Sequence, residues 1–389
     1  MSRIFSPEPS AASFMLESIA RVCRDAGHDV EVVTTRAPSR LVPREIPGVR
    51  VRRAPVLRDA SGYVRGYLQY MSFDIPLFFR LLFGRRGDVY IVEPPPTTGA
   101  VVRIVTALRR RPYVYDAADV WSDAAAMATR SRFVLSALRA VEVWAWRGAK
   151  HVVTISEGVR ERMRQLGSES DTSVLGFGVD LTAFDYAPMA PGGDGAPYFV
   201  YAGTYSEWHG ADIFVDAFAR FRAAHPDFRM IFVGNGSEKA NLEAKAAELG
   251  LGQSVQFLDA VAPEELSSVL AGAQASLASL KPGQGYDYAF TTKLYSSVAA
   301  GCPVIFTGVG PTASFIRDHV GEQPLGVAVD YDADAVAEAM HSYAESPLQP
   351  ERRAALSEWS RERYSLDSIA QRVMAIAENV GVVGVPKGH

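Results

Sequence analysis

A lysine near the start of a short predicted helix is the residue best placed in this sequence to hold an anion. Residues 290–308 read as a polar turn, a helix of small residues, a glycine stop and a buried strand. Thr291 or Thr292 caps the predicted helix, and Gly301 ends it. Because a helix N-terminus favours negative charge, Lys293 in the first turn adds a cation where an anion would already bind. The pattern predicts a phosphate site, although a solvated surface lysine has the same local sequence.

Small and polar residues also follow three other predicted strands in the same half of the chain. These loops are residues 202–210, 234–237 and 258–261. Glycines there allow backbone N–H groups to approach an anion, although glycines also close ordinary strand-to-helix turns. The carboxyl ends of parallel strands share one edge of a sheet, so we expect the loops to line one ligand site. Its candidate residues are Gly203, Thr204, His209, Asn235, Gly236 and Asp259.

The chain contains two runs of alternating strands and helices, one on either side of a stretch rich in glycine and proline. Such alternation is typical of parallel sheets covered by helices on both faces. The pattern predicts an α/β protein with two Rossmann-like, doubly wound domains that face each other across a cleft. The predicted parts are a first domain at 1–188, a linker at 189–197, a second domain at 197–349, and C-terminal helices at 350–389 that pack back toward the first domain.

Composition excludes several classes of protein. The chain has 389 residues and a net charge of −4, which suits two domains and gives no reason to expect nucleic-acid binding. Its two cysteines, Cys23 and Cys302, lie far apart, as in proteins of a reducing cytoplasm. No signal peptide and no apolar run long enough to span a bilayer are visible. Residues 3–6 predict an abbreviated opening strand, and we expect a few native residues to precede Met1.

Residues 63–86 are unusually rich in aromatic and leucine side chains and end in two arginines. One interpretation is a core helix with a solvated basic end, because aromatic side chains are usually buried. The other is peripheral contact with an anionic membrane surface, where aromatic and arginine side chains also occur together. The sequence leaves both interpretations open.

Six segments, spread along nearly the whole chain, match the motifs of one family. They are Phe5-Ser-Pro-Glu-Pro9, Ala26-Gly-His-Asp-Val-Glu-Val-Val-Thr34, Asp119-Val-Trp121, Tyr201-Ala-Gly-Thr204, Val233-Gly-Asn-Gly236 and residues 292–304. Together they resemble the GT-B glycosyltransferases, specifically the retaining enzymes of family 4 and their bacterial surface-polysaccharide branch, which includes N-acetylfucosamine transferases. The resemblance is specific for the fold and for sugar-nucleotide binding, and much less so for the sugar.

The resemblance implies a metal-independent transfer of a sugar from a nucleotide-sugar to a glycan or lipid-linked acceptor at the cytoplasmic membrane face. We expect the nucleotide of the donor to be UDP. In the mechanism favoured for this family, the departing diphosphate helps to take the acceptor's proton. Lys293 would then offset phosphate charge, and Asp119 would orient a hydroxyl unless it only caps a helix. The implied assignments are Asp119 and Lys293 as catalytic residues, Asp287, Tyr288, Thr292 and Ser296 as further donor contacts, and Glu8, Ser10 and Trp121 as acceptor contacts.

Three departures from the family pattern affect the donor site. Ser296 stands where relatives have a glutamate, and Tyr288, with Asp287 beside it, stands at a second acidic position. His209 is the only candidate cation in a loop where relatives have arginine and lysine. Two alternatives therefore stay open: a GT-B sugar-nucleotide epimerase, and a degenerate protein that binds nucleotide-sugar or glycan without turnover.

Overall fold

The computed structural model describes residues 1–8, 10–38, 41–42, 45–59, 64, 66–129, 131–184 and 195–384. The chain forms two compact units. The first consists of Met1–Gly178 with Leu366–His389, and the second of Val179–Ser365. The first unit has two parallel sheets and the second has one.

The first unit holds two parallel sheets. Strands β1 (Val30–Thr35) and β2 (Val49–Ala54) form one pair, and β3 (Tyr90–Val92), β4 (Tyr113–Ala117), β5 (His151–Thr154) and β6 (Thr172–Val174) follow one another in the second sheet. The helices are α1 (Ala11–Asp25), α2 (Tyr67–Phe83), α3 (Pro96–Arg109), α4 (Trp121–Ala128), α5 (Arg132–Gly148), α6 (Glu157–Gln165) and α14 (Leu366–Gly384).

The expected opening strand at residues 3–6 is wrong. The first residues run between the two sheets but make too few ladder bonds to form a strand. The Met1 amino group donates to the Ile91 carbonyl at 2.7 Å, and the Glu93 N–H donates to the Met1 carbonyl at 3.1 Å. On the other side, the Ser2 N–H donates to the Val33 carbonyl at 3.3 Å. These bonds connect β3 to β1.

The second unit holds one six-stranded parallel sheet in the order β12-β11-β10-β7-β8-β9. Its strands are β7 (Tyr198–Ala202), β8 (Arg229–Val233), β9 (Val255–Leu258), β10 (Ala275–Leu280), β11 (Val304–Gly308) and β12 (Gly326–Val329). Its helices are a 3₁₀ turn at Glu207–His209, α7 (Asp212–Arg222), α8 (Lys239–Glu248), α9 (Pro263–Gly272), α10 (Lys293–Ala299), α11 (Pro311–Asp318), α12 (Ala333–Glu345) and α13 (Pro350–Tyr364).

The strand order of the second unit reverses direction between β7 and β10. Two βαβαβ halves meet there, as in dinucleotide-binding folds, and ligands of such sheets bind beyond the carboxyl ends of the strands at this point. The core beneath is aromatic: Phe214, Phe218 and Phe221 on one face of α7 pack with Phe199 and Tyr201 of β7. This packing holds the end of β7 in a fixed position.

The C-terminal segment 350–389 divides between the two units, which the predicted domain limits did not anticipate. Helix α13 stays with the second unit, where the Ser357 hydroxyl donates to the Ala299 carbonyl at 2.6 Å. Helix α14 packs on α1 in the first unit, where the Ser18 hydroxyl donates to Asp367 at 2.5 Å. The predicted linker falls almost wholly outside the described residues.

Candidate functional site

The loop after β7 and the start of α10 meet through a glycine and a lysine. Gly203 has a φ of +136°, in the region that favours glycine. A Cβ atom on Gly203 would lie 2.4 Å from Cε of Lys293, so no larger residue fits without displacing the lysine. The Lys293 side chain therefore crosses the Gly203 backbone at the carboxyl end of β7.

Lys293 is a half-buried cation without a carboxylate partner. Its Nζ lies 3.2 Å from Nε2 of His209 and 5.2 Å from the centre of the Tyr201 ring. Among the described residues it forms no ion pair. Burial lowers its pKa from 10.5 to about 8, so it still carries its charge at neutral pH. Because a buried charge is costly unless it is paired, an uncompensated cation of this kind is a candidate site for an anion.

His209 is neutral, which corrects the expectation that it supplies a cation. It is buried at the end of the 3₁₀ turn, next to Gly210 with a φ of +60°. Burial, and then the charge of Lys293, lower its pKa to about 3. Its Nε2 therefore accepts a hydrogen bond from the Lys293 ammonium group, which fixes the position of the lysine.

The loops after β7 and β8 press against each other through two glycines. A Cβ on Gly234 would lie 2.2 Å from the Gly203 carbonyl oxygen, and one on Gly236 would lie 2.2 Å from that of Tyr205. The Tyr205 N–H donates to the Asn235 carbonyl at 3.1 Å, and the Asn235 side chain accepts from the Gly236 N–H at 2.9 Å. Only glycines allow this close approach.

The predicted backbone contact from Gly203 to phosphate is not available. The Gly203 N–H already donates to the Val233 carbonyl at 2.8 Å, as a continuation of the strand ladder. In the described part of the chain no hydrogen-bond partner is found for the N–H of Thr204, the next residue, which is exposed. Thr204 is therefore the better backbone donor, and Gly203 provides room for Lys293.

The loop after β10 is held by its own acidic residue. The Asp287 carboxylate accepts the Gly283 N–H at 3.0 Å, so Asp287 orders this turn. The Tyr286 ring stacks with the rings of Tyr288 and Trp208, with centroids 6.0 and 5.5 Å away. Since the Trp208 ring also contacts His209 at 3.7 Å, a line of aromatic rings leads from the lysine to Tyr288.

The remaining predicted donor contacts differ in position. Thr292 occupies the N-cap position of α10, without a side-chain capping bond. Ser296 lies one turn after Lys293 on the same face of α10 and is half-buried. Asp259 is exposed and pairs with Lys239 at 2.9 Å. Thr292 and Ser296 thus lie on the same helix as Lys293, close to it in sequence. Asp259 already has a cationic partner in Lys239.

In the first unit, Asp119 and Trp121 follow the end of β4. Asp119 is exposed, and no hydrogen bond of its carboxylate is found within the described ranges. It is not the helix cap, because Val120 holds that position. The Trp121 N–H donates to Glu142 at 2.7 Å, and burial raises the pKa of Glu142 to about 7.

The predicted acceptor contacts Glu8 and Ser10 have structural partners. Both carboxylate oxygens of Glu8 accept hydrogen bonds from Arg58 at 2.9 Å. The Ser10 hydroxyl caps α1 by accepting the Ser13 N–H at 3.1 Å. Their role toward an acceptor stays a prediction.

The structure adds two residues to the second-unit site that the sequence did not indicate as site residues, Tyr201 and Gly234. The Tyr201 ring lies beside the lysine, but as an aromatic residue in a strand it looked like part of the core. Gly234 was visible only as one glycine of a turn. Its positive φ and its contact with Gly203 depend on the neighbouring strand.

Comparison with solved structures defines the class: the chain is an α/β protein of the GT-B glycosyltransferase fold. Sucrose-phosphate synthase from Thermosynechococcus elongatus superposes with a TM-score of 0.72 at 17% identity, over 96% of this chain and 94% of the other. Anabaena Alr3699/HepE, solved in complex with UDP-glucose, superposes with a TM-score of 0.69 at 18% identity, over 97% and 98% of the two chains.

Family models identify the two halves more closely. Residues 12–178 match the glycosyl transferase 4-like domain, and residues 191–363 match the glycosyl transferases group 1 model. Each half of the chain is therefore similar to a domain found in glycosyltransferases. The D-rhamnosyltransferase WbpZ of Pseudomonas aeruginosa is 32% identical over 157 residues, which cover 40% of this chain and 38% of WbpZ. Matches to curated relatives span between 29% and 56% of those proteins.

Proposed function

We propose that this protein is a retaining, metal-independent glycosyltransferase. It moves a sugar from a UDP-linked donor to a glycan or lipid-linked acceptor in cell-surface polysaccharide or glycoconjugate synthesis, as in the N-acetylfucosamine transferase-like branch. It acts in the cytoplasm at the membrane face. The observation that carries the proposal is Lys293, an unpaired cation laid across Gly203 at the switch point of the sheet. The two family models and the transferase relatives support the same class.

This site would act on the leaving group of the reaction, the nucleoside diphosphate. A nucleoside diphosphate gains negative charge as its bond to the anomeric carbon breaks. Lys293, positioned by His209, would stabilise that charge, with the Thr204 N–H as a second donor. The departing phosphate oxygen would accept the proton of the attacking hydroxyl on the same face, which retains the configuration of the sugar. No further protein base is required.

The test is turnover with a panel of UDP-, GDP- and TDP-sugars, with and without glycan acceptors. Release of nucleoside diphosphate with a lengthened acceptor supports the proposal. Lys293→Ala should abolish most of this release. Lys245→Ala is the matched control, because that lysine pairs with Asp212 and Asp216 on the surface of α7 and α8.

The alternative functions give different results in the same assay. Saturable binding of a nucleotide-sugar with no release in any pairing would refute the transferase and leave a binding protein. Conversion of the donor to an epimer without acceptor would identify an epimerase. Full activity of Lys293→Ala would remove the lysine from the mechanism.

A further inference from the structure

Helix α2 exposes apolar side chains on the side opposite to its buried face. Phe73, Leu77 and Leu81 are buried. On the other side the exposed residues are Leu68, Ile75, Phe79 and Phe83, four or seven positions apart, and Phe83 is 78% exposed. Residues at this spacing share one helix face. The segment 63–86 is thus both a core helix and an apolar surface, apart from its start, which lies outside the described residues.

Helix α3 also exposes apolar side chains. It packs beside α2, and a buried hydrogen bond of 2.6 Å from Thr98 to Asp74 joins the two helices. Ile104 and Leu108, four positions apart, are exposed on α3. At the far end, Arg109 donates to the Leu82 carbonyl at 2.5 Å, which brings the C-terminal ends of α2 and α3 together.

No acidic side chain is exposed on helices α2 and α3, although Asp88, which pairs with Arg111, lies in the loop after α2. Helices α2 and α3 have 17 and 14 residues, and their one acidic residue, Asp74, is buried. Arg86 and Arg110 follow the two helix ends, are exposed, and form no ion pair with any residue that the structure describes. This contrasts with the chain as a whole, whose net charge is −4. The basic apolar face comprises Leu68, Ile75, Phe79, Phe83, Ile104, Leu108, Arg86 and Arg110.

We propose that the basic apolar face docks on an anionic phospholipid bilayer. Exposed phenylalanine and leucine insert at the boundary of headgroups and acyl chains, and unpaired arginines attract anionic headgroups. No helix in the described part of the chain is long and apolar enough to cross a membrane, and docking requires none. A second protein surface is less suitable, since it would need carboxylates matched to both arginines as well as an apolar face.

The test is co-sedimentation of the full chain with phospholipid vesicles. Binding is expected to vesicles of equal parts phosphatidylglycerol and phosphatidylcholine, to weaken with salt, and to be absent with phosphatidylcholine alone. Phe83→Ser with Arg86→Glu should reduce binding at least about tenfold. The matched control is Val320→Ser with Arg317→Glu, an exposed apolar and basic pair at the end of α11 that should bind like the parent.

Several outcomes would overturn the proposal. One is absence of binding to anionic vesicles, and another is equal binding by the double variant and the parent. A dimer that the double variant alone disrupts, seen by light scattering, would assign the face to self-association. Circular dichroism establishes that each variant is folded. Because the readout is vesicle binding, Lys293→Ala should bind vesicles like the parent, so this test is independent of the proposed chemistry.

Discussion

The ammonium group of Lys293 donates a hydrogen bond to a neutral imidazole, with Nζ 3.2 Å from Nε2 of His209. In this pair the lysine is the charged donor and the histidine is the neutral acceptor. Burial and the neighbouring cation lower the pKa of His209 to about 3, while Lys293 keeps its proton up to about pH 8. The histidine holds the lysine in place without neutralising it, and the positive charge stays available for a bound anion.

Binding of UDP should depend on pH through Lys293. Its pKa of about 8 means that the charged form, which attracts diphosphate, is present below that pH and is lost above it. The affinity for UDP should fall about tenfold from about pH 7 to about pH 9. Calorimetric titration across this range measures the effect. Lys293→Ala should bind weakly with no such slope, and an unchanged slope in the variant would assign the titration to another group.

His209 should act as an acceptor rather than as a charge. His209→Ala removes the atom that receives the lysine's hydrogen bond, and we expect UDP affinity to fall about tenfold, the usual effect of a lost bond to a charged group. His209→Gln offers an amide oxygen and should retain most of the affinity. If His209→Gln were as weak as His209→Ala, or if neither changed binding, the acceptor role would be wrong.

Gly203 should be coupled to Lys293 energetically. An alanine there would place Cβ 2.4 Å from Lys293 Cε at a φ of +136°, so the lysine must move. Gly203→Ala should weaken UDP binding about tenfold or more, by displacing the cation. In the double variant with Lys293→Ala, the glycine change should have little further effect. Additive losses in this double-mutant cycle would show that Gly203 acts independently of the lysine.

Glu142 should stabilise the start of α4. Its carboxylate accepts the N–H groups of Trp121 at 2.7 Å and of Ser122 at 2.9 Å. Glu142→Ala leaves both donors without this partner, and we expect the free energy of unfolding to fall by about 2 kcal/mol in urea titrations. Glu248→Ala, at the exposed end of α8, is the control and should change stability by less than about 0.5 kcal/mol. Equal stability of the two variants would refute this role.

Much of the second unit follows from local sequence. The helix at 293–299, its stop at Gly301 and the strand at 304–308 were predicted with nearly the observed ends. Turn glycines, apolar strands and caps are local signals, so a sequence reveals them. Strand β12 and helices α11 and α12 were not predicted, although Pro311 in the first turn of α11 and the Asp332 cap of α12 are local signals of a helix start.

The sequence by itself determined the α/β class and the second run of strands and helices, and it singled out Lys293 as the leading candidate for an anion contact. It could do so because residue periodicity and turn chemistry are properties of neighbours along the chain. Tertiary structure decided what depends on partners distant in sequence. Burial beside Lys293 makes His209 neutral, the ladder bond to Val233 occupies the Gly203 N–H, and Asp287 is engaged in its own loop. Only packing shows which side of α2 is buried, and therefore that its other apolar side faces solvent.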